Sequence, residues 1–273
     1  MAAKTLVHVS DLNLGKGGKY RRGAIALRDT LLKARVDHVV VSGDLTHRGR
    51  ASELESFRRI FAPLESTTRI TLVPGDHDRL GDDVAGAIQP GPRVSVATSD
   101  GIQIVRFDST GPHDRPGSAE RGILSDHDVA AIGEAIATAP GQTLVVLLMH
   151  HHILPLLANH APERLLSWLV GSHEEDLERG WRLLGILRGR CDLVLHGTGH
   201  TTQVATPFPD DARPLSVFSA GHSTDIGQVR VFGHERGRVL GRPAWLKIGT
   251  VPPGTEEAPP RSRWMPDFRA TGA

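Results

Sequence analysis

Five short polar clusters in the chain together supply carboxylates and imidazoles, and each directly follows an apolar run. Asp11 and Asn13 follow the first run, Gly43-Asp44 the second, and Gly75-Asp76-His77-Asp78 the third. His150-His151-His152 closes the most apolar run, and Gly197-Thr198-Gly199-His200 closes a later one. Carboxylate oxygens and imidazole nitrogens without thiolates suit a site for Mn, Fe or Zn rather than a structural zinc finger. Taken singly, Asp11 or Asp44 reads first as a turn or helix-cap residue. The recurrence of one pattern at five run ends is what points to chemistry. In α/β sheets ligands bind beyond the carboxyl ends of strands, so the five clusters could converge in one cleft.

The elements that must position them follow from hydrophobic periodicity. Residues 5–10 read as a buried strand, 21–34 as a helix through Ala24, Leu27, Leu31 and Leu32, and 38–42 as a β-branched strand. Ser52-Glu53-Leu54-Glu55 matches a capping box opening a helix to about Leu64, and 69–73 is a third strand. Strand, helix, strand, helix, strand argues for a largely parallel sheet. Ser99-Asp100-Gly101 predicts a hairpin between strands at 94–97 and 102–108. Helices are expected at 125–137 and 174–188, and strands at 143–149, 191–196, 215–219, 228–232 and 238–240. From about Val251 the chain turns Pro-rich, which predicts an extended C-terminal tail over 251–273 after a domain spanning 1–250.

Composition narrows the function classes. The 273 residues carry 32 Lys plus Arg against 31 Asp plus Glu, a net charge of +1 that gives no basic face for dedicated nucleic-acid binding. Cys191 is the only cysteine, which excludes an intrachain disulfide framework and a multi-cysteine metal cluster. No apolar run approaches the ~20 residues of a membrane span, and the first residues open no signal peptide. The expectation is a cytoplasmic protein with no membrane partner. Histidine stands out at 15, against one Tyr and 7 Phe.

The ordered clusters resemble those of the calcineurin-like metallophosphoesterases, closest to the branch that contains bacterial cyclic-nucleotide phosphodiesterases. That family's pattern is Asp-x-His, Gly-Asp, Gly-Asn-His-Asp/Glu, a strand-end His and Gly-His-x-His. Here the matches are Asp11-Leu12-Asn13, Gly43-Asp44, Gly75-Asp76-His77-Asp78, His150 and Gly197-Thr198-Gly199-His200. The resemblance implies an α/β fold, a four-layer αββα sandwich with two mixed β-sheets. It also implies two metals bridged by Asp44. Asp11, Asn13, Asp44 and His200 would hold one, and Asp44, Asp76, His150 and Thr198 the other. His151 and His152 could also face the substrate, with a solvated or core-held imidazole expected for at least one of them. His77 would contact the phosphate and assist the leaving group, and Asp78 would orient and charge its imidazole.

Three positions depart from the pattern: Asn13 and Thr198 stand where the family has histidine, and Asp76 where it has asparagine. Each ion thereby loses one imidazole, while Asp76 adds a negative charge. The expected cofactors are therefore one or two divalent ions per chain, Mn or Fe first and Zn or Mg next. His47, His196 and His222 fall where any one of them could approach the cleft and supply a substitute ligand. The function implied is metal-dependent phosphoester hydrolysis of a small substrate, a phosphodiester first and a nucleotide among the candidates, by a metal-activated water. A second reading is a degenerate relative that binds a partner or nucleotide without hydrolysis. A third is an altered metal centre with a different reaction.

Overall fold

The computed structural model describes residues 3–111, 122–152, 174–197 and 202–249. Two mixed sheets face each other. The first has the order β11-β10-β1-β2-β3, with β1 (Lys4–Val9), β2 (His38–Ser42) and β3 (Arg69–Val73) parallel, and β10 (Gln228–Glu235) and β11 (Arg238–Lys247) added as an antiparallel hairpin. The second has the order β4-β5-β6-β7-β9-β8. In it β5 (Ile102–Phe107), β6 (Leu144–Leu148), β7 (Leu193–His196) and β9 (Ser216–Ser219) are parallel. Antiparallel β4 (Val94–Ser99) and β8 (Val204–Ala205) close its edges.

Strand alternation explains the layers. In β1, Leu6 points between the sheets while Val7 and Val9 point to the helices; in β2, Val40 points inward and Val39 and Val41 outward. The helix side of the first sheet is covered by α1 (Gly18–Ala34) and α2 (Ala51–Phe61), which bury Leu27, Leu31, Phe57 and Phe61 against it. The outer face of the second sheet is covered by α4 (Asp126–Ala137) and α5 (Glu174–Leu187), through Ile132, Leu183 and Leu187. Val73, Val146, Leu148, Leu195, Phe218 and Phe232 fill the middle. The result is the expected α/β sandwich of four layers, αββα. Two short helices, α3 (Ala85–Ile88) and α6 (Ser223–Ile226), have no counterpart in the hydrophobic pattern because four residues carry no period.

Two local expectations are revised. The helix opening sits two positions earlier than read: the N-cap is Arg50, Ser52 lies inside α2, and Glu53 rather than Glu55 is the capping acid, accepting the backbone N–H groups of Arg48 at 2.8 Å and Arg50 at 3.4 Å. The strand read at 238–240 runs on to Lys247. Gly241 and Pro243 look like breakers, but β11 is an edge strand, where a missing N–H is tolerated. The hairpin at Asp100-Gly101 stands as expected, with both residues left-handed as a two-residue I′ turn requires. Among the described residues no helix is long and apolar enough to cross a membrane. The tail over 251–273 lies outside the described residues.

Candidate active site

The loops after β1, β2 and β3 are laced together by their own backbones. Asp11 N–H donates to the Gly43 carbonyl at 3.1 Å, Asn13 N–H to Asp44 at 2.9 Å and Leu14 N–H to Leu45 at 3.0 Å. To make these bonds Asp11, Asn13 and Asp44 all adopt left-handed backbone, with φ of 55°, 47° and 54°. Such conformations cost non-glycine residues roughly 1 kcal/mol or more and persist where surrounding structure enforces them, commonly at functional sites. Gly75 is needed for close approach: a Cβ there would lie 2.1 Å from Asp44 Oδ1 and 2.4 Å from its backbone nitrogen.

Asp78 is the staple of these loops. One carboxylate oxygen accepts from Thr46 N at 2.9 Å and Thr46 Oγ1 at 2.6 Å, the other from Gly75 N at 2.9 Å and Leu45 N at 3.3 Å. This corrects the role expected for it. Asp78 does not orient His77, because its hydrogen bonds are committed to the loop backbone. The His47 carbonyl does so instead, 2.7 Å from His77 Nδ1, with the two imidazoles stacked at 5.3 Å.

The second sheet brings the nitrogen donors. His150 Nδ1 donates to the Ser42 carbonyl at 2.7 Å, which turns Nε2 to the carboxylates, 3.0 Å from Asp76 Oδ1 and 3.8 Å from Asp44 Oδ1. His151 Nδ1 lies 2.9 Å from Ser109 Oγ and its Nε2 4.0 Å from Asp76. Ser109 was missed in the sequence, although Asp108-Ser109-Thr110 follows β5 just as the other polar clusters follow their strands. His152 turns away to His196, Nδ1 to Nε2 at 3.2 Å. Thr198 and His200 lie outside the described residues.

Burial and charge set the electrostatics. Burial pushes the Asp44 carboxyl up to about 7, with His150 opposing and Asp76 and Asp78 adding to the rise. Asp11 is raised too, by burial and then by the neighbouring Asp44. Burial disfavours charge on His150, yet Asp44, Asp76 and Asp11 lift it to about 10. Asp76, despite burial, is held down at about 2 by its hydrogen bond from His150 and by the nearby histidines.

This donor set fits a divalent cation. One ligand atom each from Asp76, His150 and His151 lie within 4.8 Å of one another. Asp11 Oδ2 is a buried acceptor with no hydrogen-bond partner among the described residues, the kind of oxygen a cation satisfies. The carbonyl behind His150 Nδ1 is the usual support of a ligating imidazole.

A family description for calcineurin-like phosphoesterases matches residues 4–202. The chain belongs to that family. Membership supports hydrolysis of phosphoesters with divalent metal ions, and the residues of this phosphoesterase fit such ions on the grounds just given. No curated protein matches its sequence. Among solved structures, a dimetal phosphatase from Danio rerio is 12% identical with a TM-score of 0.57, covering 90% of this chain and 99% of that one. Purple acid phosphatase PPD1 from yellow lupin (Lupinus luteus) seeds is 12% identical with a TM-score of 0.58, covering 90% and 54%. GAP50, the anchor in the inner membrane complex of Plasmodium, is 12% identical with a TM-score of 0.55, covering 92% and 90%. At that identity these structures share the fold alone with the phosphoesterase.

Proposed function

We propose that this phosphoesterase hydrolyses a small phosphodiester in the cytoplasm, with nucleotides as the first substrates to try. The observation that carries the reading is the meeting of Asp44, Asp76, His150 and His151, drawn from both sheets, in one buried cluster. Asp11, Asn13, Asp44 and His200 are assigned to one ion, and Asp44, Asp76 and His150, with Thr198, to the other. Divalent ions bound there supply Lewis acidity and positive charge toward a phosphoester.

The chain's own residues do the rest. The Ser42 carbonyl fixes the His150 ring so that Nε2 is the ligating atom. Ser109 does the same for His151. With Nδ1 of His77 on the His47 carbonyl, its Nε2 is the atom left for the ester, and as an imidazolium it would donate a proton to the oxygen that departs. Asp44 Oδ1 accepts the His77 backbone N–H at 3.0 Å, which ties the loop after β2 to the loop that carries the acid.

A second reading, binding without hydrolysis, is favoured by Asn13, whose amide is a weaker donor than the imidazole expected there. The experiment that separates the two uses the purified chain loaded with Mn, Fe or Zn and assayed on bis(p-nitrophenyl) phosphate, p-nitrophenyl phosphate and cyclic nucleotides. Metal-dependent diester turnover that disappears in Asp44→Asn supports hydrolysis. Turnover unchanged in that variant, with contaminating phosphatase excluded, refutes the site. Bound metal without turnover favours the binding reading.

A further inference from the structure

We propose that His222 is a metal ligand of this chain, its Nε2 serving the ion held by Asp11. The proposal rests on the metal reading above and assigns one residue to it.

His222 stands just before α6, with Gly221 joining it to the loop after β9, far from Asp11 in sequence. Two reciprocal bonds bring it there. Ser10 N–H donates to Ser223 Oγ at 2.9 Å, and Ser223 N–H donates to the Ser10 carbonyl at 3.2 Å. These clamp the residue after His222 to the residue before Asp11. The His222 ring consequently reaches the site, with Nε2 3.3 Å from Asp11 Oδ1.

The other edge of the ring is backed by a carboxylate. Asp225 Oδ2 lies 3.6 Å from Nδ1, and Asp225 is itself held by Lys19 Nζ at 2.6 Å and Tyr20 OH at 3.3 Å. A carboxylate behind one imidazole nitrogen while the other faces a ligand cluster is how ligating histidines are oriented and made more basic. In front of the ring, Asp11 Oδ2 is buried without a hydrogen-bond partner among the described residues, and Asp44 is the next carboxylate beyond it. Two buried carboxylates, an unsatisfied oxygen and a supported imidazole form a mixed N/O donor set for Mn, Fe or Zn.

The other two substitute candidates go elsewhere. His47 stacks on His77, and His196 pairs with His152. Of the three, His222 is the one whose ring meets a carboxylate of the site. It thereby offers the nitrogen that Asn13 does not.

The test is metal binding by the full-length protein, stripped of metal and titrated with Mn²⁺ and Zn²⁺ by calorimetry, with stoichiometry from elemental analysis. His222→Ala is expected to weaken one ion about 10- to 100-fold and leave the other unchanged; His150→Ala should weaken the other. Asp225→Asn should weaken the His222 ion by about 10-fold. Asn13→His should add little in the wild type but restore the ion in His222→Ala. His222→Gln gives the same loss with a polar side chain retained, and circular dichroism of each metal-free variant checks the fold. Unchanged or tighter binding in His222→Ala, alongside a loss in His150→Ala, overturns the assignment and makes His222 a counter-charge to Asp11 while the metal reading stands. No metal bound by the wild type at excess overturns both.

Discussion

Nε2 of His150 lies 3.0 Å from Oδ1 of Asp76, and this contact joins the carboxyl ends of the two sheets. Asp76 leaves β3 of the first sheet and His150 leaves β6 of the second. His150 leaves the second sheet, but its ring is oriented by the Ser42 carbonyl at the end of β2 in the first, so the pair reports how the halves are aligned. Without metal it is an ion pair, with His150 raised and Asp76 lowered from their ordinary ranges. A cation entering the cluster must displace the proton from His150, which ties metal affinity to the geometry of the sheet-to-sheet contact.

The buried carboxylates make a trade between stability and function. Asp11, Asp44 and Asp78 are all raised by burial first. Asp44→Asn keeps an oxygen for the His77 N–H and removes one charge from the group. The metal-free variant should be more stable than the metal-free wild type by about 1 kcal/mol, or 2–4 °C in a protein of this size. Its metal affinity should fall at least about 10- to 100-fold. Thermal melts with and without Mn²⁺ read both effects, and a metal-free variant that melts lower contradicts the argument.

His77 and Asp78 are neighbours with different jobs. Asp78→Ala strips four hydrogen bonds from the loops of Leu45, Thr46 and Gly75, and should destabilise the fold by about 3 kcal/mol or more. His77→Asn should leave the folding stability within about 1 kcal/mol of wild type, keep the metal content and reduce diester turnover about 100-fold or more. Equal losses of stability in both variants would show that His77 is structural.

Gly75→Ala tests the close approach of the second and third loops. A methyl 2.1 Å from Asp44 Oδ1 must push the carboxylate or the loop aside. The expected cost is about 1–3 kcal/mol, with metal affinity falling as well. Chemical denaturation and calorimetry give the two numbers, and a variant indistinguishable from wild type in both sinks the steric argument.

A pH effect follows from His38, remote from the metal cluster. It is buried on β2 with Nε2 2.8 Å from Thr71 Oγ1. Burial, with Arg69 and His234 adding repulsion, lowers its pKa to about 4. Unfolded, it takes up a proton near 6.5. Between these values the unfolded chain binds a proton that the native protein refuses, so the stability it contributes is full above about pH 6.5 and falls with pH by roughly 1.4 kcal/mol per unit. Urea denaturation of wild type and His38→Gln at pH 7, 6 and 5 should give a flatter profile for the variant. Parallel profiles refute the assignment.

The features legible in the amino-acid order are local and periodic. Buried strands of four to six residues announce themselves by β-branched and apolar runs, and Asp11, Asp44, Asp76 and His150 are legible because each ends such a run. The sandwich was implied by the resemblance those ordered clusters carry to the calcineurin-like phosphoesterases. Which side chains share a contact emerges only in the folded chain. Asp78 staples a backbone instead of serving His77, His152 leaves the cluster for His196, and Ser109 supports His151. His222 reaches Asp11 because Ser10 and Ser223 clamp their segments together. These partners come from segments brought together by strand order and by the alignment of two sheets. Hydrophobic periodicity fixes which face of a strand is buried, but it carries no record of which neighbour that face will meet.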